Sequence, residues 1–156
     1  MPRKPSAKRY ALALFQLALE KGEIERWSTD LQVVDEALQE REFLAFLGMP
    51  KIRLAQKLQV IQEAMPDLNP LAHNLLGLLI SRRVVDTLPS IREEYGNLLD
   101  QHHGLQRASV VSAVPLEQGQ RDRLAQYLRD LTGKEIEMTT SVDPSIVAGL
   151  IARVGD

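Results

Sequence analysis

The 156-residue chain contains no cysteine, which excludes a disulfide framework, a thiolate zinc site, an iron–sulfur cluster and a cysteine nucleophile. Aromatic residues make up only 4% of it, so a surface that stacks nucleic-acid bases has little to draw on. Net charge is scarce as well. The 19 Lys and Arg against 21 Asp and Glu leave a formal charge of -2, with no whole-chain electrostatic footprint for nucleic acid or acidic lipid. Long apolar runs are missing: those around Tyr10 to Leu19 and Leu75 to Ile80 fall short of the roughly 18 residues that suggest a membrane span. The opening Met-Pro-Arg-Lys-Pro-Ser is too short and polar for a signal sequence. A cytosolic address without direct membrane insertion is expected, with another subunit holding the chain wherever it works at a membrane.

What is present leans toward helix. Hydrophobic residues are 44% of the chain, mostly Leu, Ala, Val and Ile. Ser6 is placed as an N-cap, Ala7 to Lys21 is mostly apolar, and Gly22 supplies a left-handed stop. From Glu23 to about Arg41, Ile24, Trp27, Leu31, Val34 and Leu38 recur at three- and four-residue spacing. A short segment from Glu42 to Leu47 ends at Gly48, and Pro50 is expected in the first turn of a helix carrying Leu54, Leu58 and Ile61. Asn69 and Pro70 form an N-cap and first-turn pair before Leu71 to Arg83. Asp86 or Thr87 with Pro89 opens a sixth helix that runs to near Gly104.

After Gly104 the pattern changes. Residues 107–114 are small and β-branched, reading as a buried strand stopped by Pro115. Leu124, Tyr127, Leu128 and Leu131 mark one helical face closed by Gly133, and Ile136, Met138, Thr140 and Val142 alternate with polar residues as a half-buried strand does. Strand, helix and strand imply a parallel crossover, and Asp143-Pro144 turns the chain into a third apolar run, Ile146 to Val154. The expected fold is mainly α: a six-helix N-terminal bundle over residues 1–104, then a small α/β domain of β-α-β-β order over residues 105–156. Because Gly155-Asp156 reads as a turn dipeptide after an apolar strand, that domain is expected to be incomplete at its C-terminus.

Two helices carry more apolar surface than a bundle edge requires. Tyr10, Leu14, Leu17 and Ala18 lie on one side of the first, while Ala11, Leu12, Phe15 and Leu19 extend the surface around it. In the fifth, Leu71, Leu75, Leu78 and Leu79 suit a core face, which leaves Leu76, Ile80 and part of Ala72 looking elsewhere. Either helix alone could be the fully buried centre of the bundle. Two together favour a groove that receives an amphipathic helix from another chain.

Lys8-Arg9-Tyr10-Ala11-Leu12-Ala13-Leu14-Phe15, Glu25-Arg26-Trp27, Asn74-Leu75-Leu76 with Arg83, and Leu88-Pro89 resemble the delta subunit of bacterial F-type ATP synthases, equivalent to the mitochondrial oligomycin-sensitivity-conferring protein. Val111-Ser112-Ala113 with Leu116, Thr132-Gly133-Lys134, and Val142-Asp143-Pro144-Ser145-Ile146 through Gly149 and Arg153-Val154-Gly155-Asp156 extend the resemblance over essentially the whole chain. Ala148 stands where that family often has a second glycine, and members usually continue past the Gly-Asp into another strand and a helix. The resemblance implies a stator subunit with no catalytic residues and no cofactor, present as one copy in a hetero-oligomeric complex. Its helical domain would grip N-terminal segments of the alpha subunits, and its C-terminal domain the b subunits of the peripheral stalk, at the cytoplasmic face of the bacterial plasma membrane. It also implies that Tyr10, Ala13, Leu14, Leu75, Leu76 and Leu79 meet the alpha-subunit helix.

Other chemistry fits poorly. Thr132-Gly133-Lys134 is superficially like a phosphate loop, but Leu128 stands where a glycine belongs and Glu135 where a magnesium-binding hydroxyl should be. Asp100, His102 and His103 lack a third convergent metal ligand, and adjacent helical histidines diverge by about 100 degrees. His73 is expected to be partly exposed or capping, and Asp143 to be turn chemistry. The basic start, Arg3, Lys4, Lys8 and Arg9, supports an alternative: a small helical RNA-binding module of the transcription-antitermination type. Against it, the positive charge stops at Arg9, stacking aromatics are few, and such modules lack the strand-helix-strand tail.

Overall fold

The computed structural model describes residues 6–155; Arg3 and Lys4 of the basic start, and Asp156, lie outside the described residues. The protein is mainly helical with one small sheet. In chain order it has α1 (Ala7–Lys21), α2 (Ile24–Gln39), α3 (Arg41–Gly48), α4 (Leu54–Ala64), α5 (Pro70–Ser81), a 3-10 turn (Val85–Thr87) and α6 (Leu88–His102), then β1 (Leu105–Ser112), α7 (Gln118–Thr132), β2 (Glu135–Val142) and β3 (Leu150–Val154). The described residues form two compact units that divide between Leu98 and Leu99, inside α6 and upstream of Gly104.

Helix boundaries follow local chemistry. The side-chain oxygen of Asn69 accepts from the Leu71 N–H at 2.9 Å, with Pro70 at the first helical position. The chain leaves α1 through Gly22 at φ +66, where the Gly22 N–H donates to Leu19 and the Glu23 N–H to Ala18. The end of α5 repeats this closure with Arg83 in the left-handed position, at φ +57, and with Val84 donating to Leu79. Pro50 is not in a first turn as expected: α4 begins later, at Leu54, where the Gln56 side chain accepts from the Arg53 N–H at 3.3 Å.

In the helical unit α1 packs on α2, α2 on α3 and α5, and α4 on α5. Trp27, Leu31, Ile61, Leu76, Leu79, Leu88, Ile91 and Tyr95 are all buried to 1% exposure or less, each contributing about 1.5–3 kcal/mol of transfer free energy before ordering costs. Polar ties fix the packing. The Arg92 guanidinium meets Asp35 at 2.7 Å, the Tyr95 hydroxyl donates to the Ile24 carbonyl at 2.9 Å, and the Phe15 ring stands edge-on to Tyr95 at 5.4 Å. Buried Lys57 donates to the Leu47 carbonyl at 2.6 Å, closing the end of α3.

The second unit is a three-stranded sheet in the order β2-β1-β3, with β1 parallel to β2 and antiparallel to β3. Its first strand begins at Leu105 and ends at Ser112, so Ala113 and Val114 of the expected run lie beyond the strand, and Val114 is exposed. The third apolar run is strand only from Leu150, because residues 143–149 must carry the chain from β2 past the end of β1 to its opposite edge. Asp143 opens that crossing by accepting from the Ser145 N–H at 2.9 Å. Alternation sends Ala108, Val110 and Ser112 to one face with Ile136, Met138, Thr140 and Val142 as register partners or neighbours, and α7 packs on β2 with Leu128 buried. Arg107 joins Asp100 in the last turn of α6 at 2.6 Å and Glu137 of β2 at 3.5 Å.

Candidate partner-binding surfaces

The helical unit places the six expected contact residues at different depths. On α1, Ala13 is exposed, Tyr10 half-buried and Leu14 buried with 8% of its surface accessible. On α5, Leu75 keeps 7%, whereas Leu76 and Leu79 are 1% and 0% exposed. The expectation that Leu76, Ile80 and part of Ala72 look away from the core while Leu78 faces it is therefore corrected. Helix α5 is the buried centre of this unit, because both α2 and α4 pack on it and each of its leucine, isoleucine and alanine side chains is buried except exposed Leu78 and half-exposed Leu71. Its glycine belongs to the same packing: a Cβ on Gly77 would lie 3.4 Å from Leu58 of α4.

The outward apolar surface of α1 is larger than that of α5. Leu12 and Leu19 are 47% and 43% exposed, against 39% for Leu78. The Tyr10 hydroxyl is enclosed without a hydrogen-bond partner, as is Nε2 of His73; such atoms carry a desolvation cost that a bound partner or water relieves. Where α1 ends and α5 begins, Lys21, Glu23, Arg26, Asn69, Pro70 and Leu71 line an open cleft.

The sheet unit leaves apolar side chains of its own uncovered. Tyr127 and Leu131, one turn apart on α7, are 62% and 67% exposed, and Leu150 and Ile151 on β3 are 43% and 52% exposed. Val147, in the crossing loop, is fully exposed. One helix over three strands covers only part of the sheet, which leaves the β3 side open.

No group of three or more potential metal-ligating side chains occurs among the described residues. Thr132-Gly133-Lys134 closes α7: Gly133 sits at φ +69 with its N–H on the Arg129 carbonyl at 2.8 Å. His102 and His103 meet edge to face at 5.7 Å where α6 ends. Among the described residues, Asp143 and Tyr95 have displaced acidities. Hydrogen bonds from the Ser145 side chain and backbone hold the Asp143 carboxyl below its ordinary range, while burial, and secondarily the Glu25 carboxylate, pushes the Tyr95 phenol up.

The family model described as ATP synthase delta (OSCP) subunit matches residues 7–156. The chain belongs to that family. It is 35% identical over 150 residues to the ATP synthase subunit delta of Dehalococcoides mccartyi strain ATCC BAA-2266, covering 96% of this chain and 83% of the relative. The subunit delta of Geobacter sp. strain M21 is 36% identical over 152 residues, covering 96% and 84%. Among solved structures, a chain of the cryo-EM Toxoplasma gondii mitochondrial ATP synthase hexamer shares the fold, with a TM-score of 0.63 at 23% identity over 95% of this chain and 85% of that one. Membership of the delta (OSCP) family makes this an ATP synthase subunit of the F type, and the antitermination alternative finds no support. No helix of the described residues is long and apolar enough to cross a membrane.

Proposed function

We propose that the chain is a non-catalytic stator subunit of a proton-translocating F-type ATP synthase, present as one copy per complex. Its six-helix bundle grips N-terminal segments of the alpha subunits on the catalytic head. Its β-α-β-β domain binds the b subunits of the peripheral stalk, so the head does not turn with the rotor. It works at the cytoplasmic face of the bacterial plasma membrane, peripherally, and needs no cofactor because its task is mechanical. What supports this reading is apolar side chains that each unit's own packing leaves uncovered: Leu78 with half-buried Tyr10 and Leu71 in one, Tyr127, Leu131, Leu150 and Ile151 in the other.

On the helical unit, the alpha-subunit helix lies along α1 and α5 over Tyr10, Ala13, Leu14 and Leu75, with Leu76 and Leu79 as the core beneath them. Burying three or four such side chains offers on the order of 5–10 kcal/mol gross, before association and ordering costs, enough for micromolar or tighter binding. Titrating a synthetic peptide of the alpha subunit's N-terminus, followed by calorimetry and by Trp27 emission, tests this. Saturable one-to-one binding that Ala13→Asp weakens by at least about tenfold is expected. Absence of binding near 1 mM, on the order of the weakest useful affinity, would overturn it.

A further inference from the structure

The corner where α1 turns into α2 is tied to the start of α5 through a single residue, by its backbone and its side chain. Asn69 is 3% exposed, and besides the carbonyl that starts the α5 ladder it uses three polar groups. Its backbone N–H donates to Oδ2 of Asp30 on α2 at 3.2 Å, its Nδ2 donates to Oε2 of Glu23 at 3.1 Å, and its Oδ1 accepts from the Leu71 N–H at 2.9 Å. Glu23 directly follows the Gly22 turn that ends α1. The Arg26 guanidinium lies over both carboxylates, 3.7 Å from Glu23 and 4.0 Å from Asp30. Glu23, Arg26 and Asn69 line the open cleft between Lys21 of α1 and Pro70 and Leu71 of α5.

Helix capping needs only one of the three bonds. An N-cap needs the Oδ1 acceptor, which serine or aspartate supplies as well as asparagine. The Nδ2 donor reaches away from α5 to Glu23 and adds nothing to the cap. What it does fix is the distance between the start of α5 and the Gly22-Glu23 turn that joins α1 to α2, the helix on which α1 packs. We propose that Asn69 is a positioning residue for partner binding: its amide sets how the start of α5 stands against the turn that ends α1, at one end of the seam where the alpha-subunit helix docks. This rests on the docking reading above. A seam held at one width is preorganised, and a seam free to vary must be ordered again on each binding event.

The test uses the full chain and the same alpha-subunit peptide. Asn69→Ser keeps a capping oxygen and removes the donor to Glu23; the peptide Kd is expected to rise roughly fivefold, with the dissociation rate carrying most of the change. Asn69→Asp combined with Glu23→Gln reverses the bond, the glutamine now donating and the aspartate both accepting and capping; affinity is expected to return to within roughly twofold of the unmodified protein. Thermal unfolding of each variant, followed by Trp27, separates spacing from stability. If the unmodified protein binds and Asn69→Ser binds equally well, the positioning role falls while the docking reading stands. A reversed pair that stays weak although folded also overturns it, because the effect then does not run through this bond. Failure of the unmodified protein to bind removes the docking reading and this inference together.

Discussion

Replacing Leu76 separates a core residue from a docking residue. Leu76 is 1% exposed in the middle of α5, between helices α2 and α4. Truncation to alanine removes a fully buried isobutyl group, and the lost transfer energy plus the cavity left behind costs about 2.7–5 kcal/mol in well-packed interiors. Since α5 is gripped from two sides, collapse into the space is restricted and the upper half of that range is expected. For a unit of this size each kcal/mol lowers the melting temperature by about 4–8 °C, so Leu76→Ala should melt at least ~15 °C earlier. Leu76→Asp should not fold at all, because an unpaired carboxylate there has no compensating donor. Trp27 reports the transition from inside the same unit, being fully buried, and Leu12→Ala, at a position 47% exposed, should shift it by under ~1 kcal/mol. A Leu76→Ala protein that melts normally yet loses the alpha-subunit peptide would refute the assignment of Leu76 to the core.

Three further outcomes follow from local geometry. Arg83→Gly relieves a side chain held at φ +57 and should stabilise the helical unit by about 1 kcal/mol in denaturant titration; a lower midpoint would mean the guanidinium stabilises the fold in some other way. Gly96→Ala, inside α6 where a Cβ would meet nothing within 4 Å, should add about 0.5–1 kcal/mol, and destabilisation would contradict the open space. The Asp143 carboxyl is held below its ordinary value by Ser145, so its contribution to stability is present above the unfolded-state value, about 3.9, and is lost as pH falls through the lower folded value. Carbon-detected NMR titration of that carboxyl should therefore show a depressed midpoint that Ser145→Ala raises; an unchanged midpoint would rule out the Ser145 side chain as the main cause.

Features that depend on a few adjacent residues were legible in the sequence. Asn69-Pro70 starts α5 and Gly22 and Gly133 stop their helices because capping is satisfied by atoms within four residues. Alternation over Glu135 to Val142 likewise sets the strand whatever lies beside it. The facing of α5 was not legible. A helix apolar on nearly every side has the same sequence whether it lines a groove or sits at the centre of a bundle, and only the helices that pack on it distinguish the two. The order β2-β1-β3 was hidden for a related reason, since local pattern says nothing about which edge the chain crosses to after Asp143. The Asn69 ties lay furthest out of reach. Asp30 and Glu23 are 39 and 46 residues away from it, and each reads in sequence as an ordinary charge on an amphipathic helix. Their convergence on Asn69 exists only once α2, the start of α5 and the Gly22 turn meet at one corner, an arrangement that no local motif encodes.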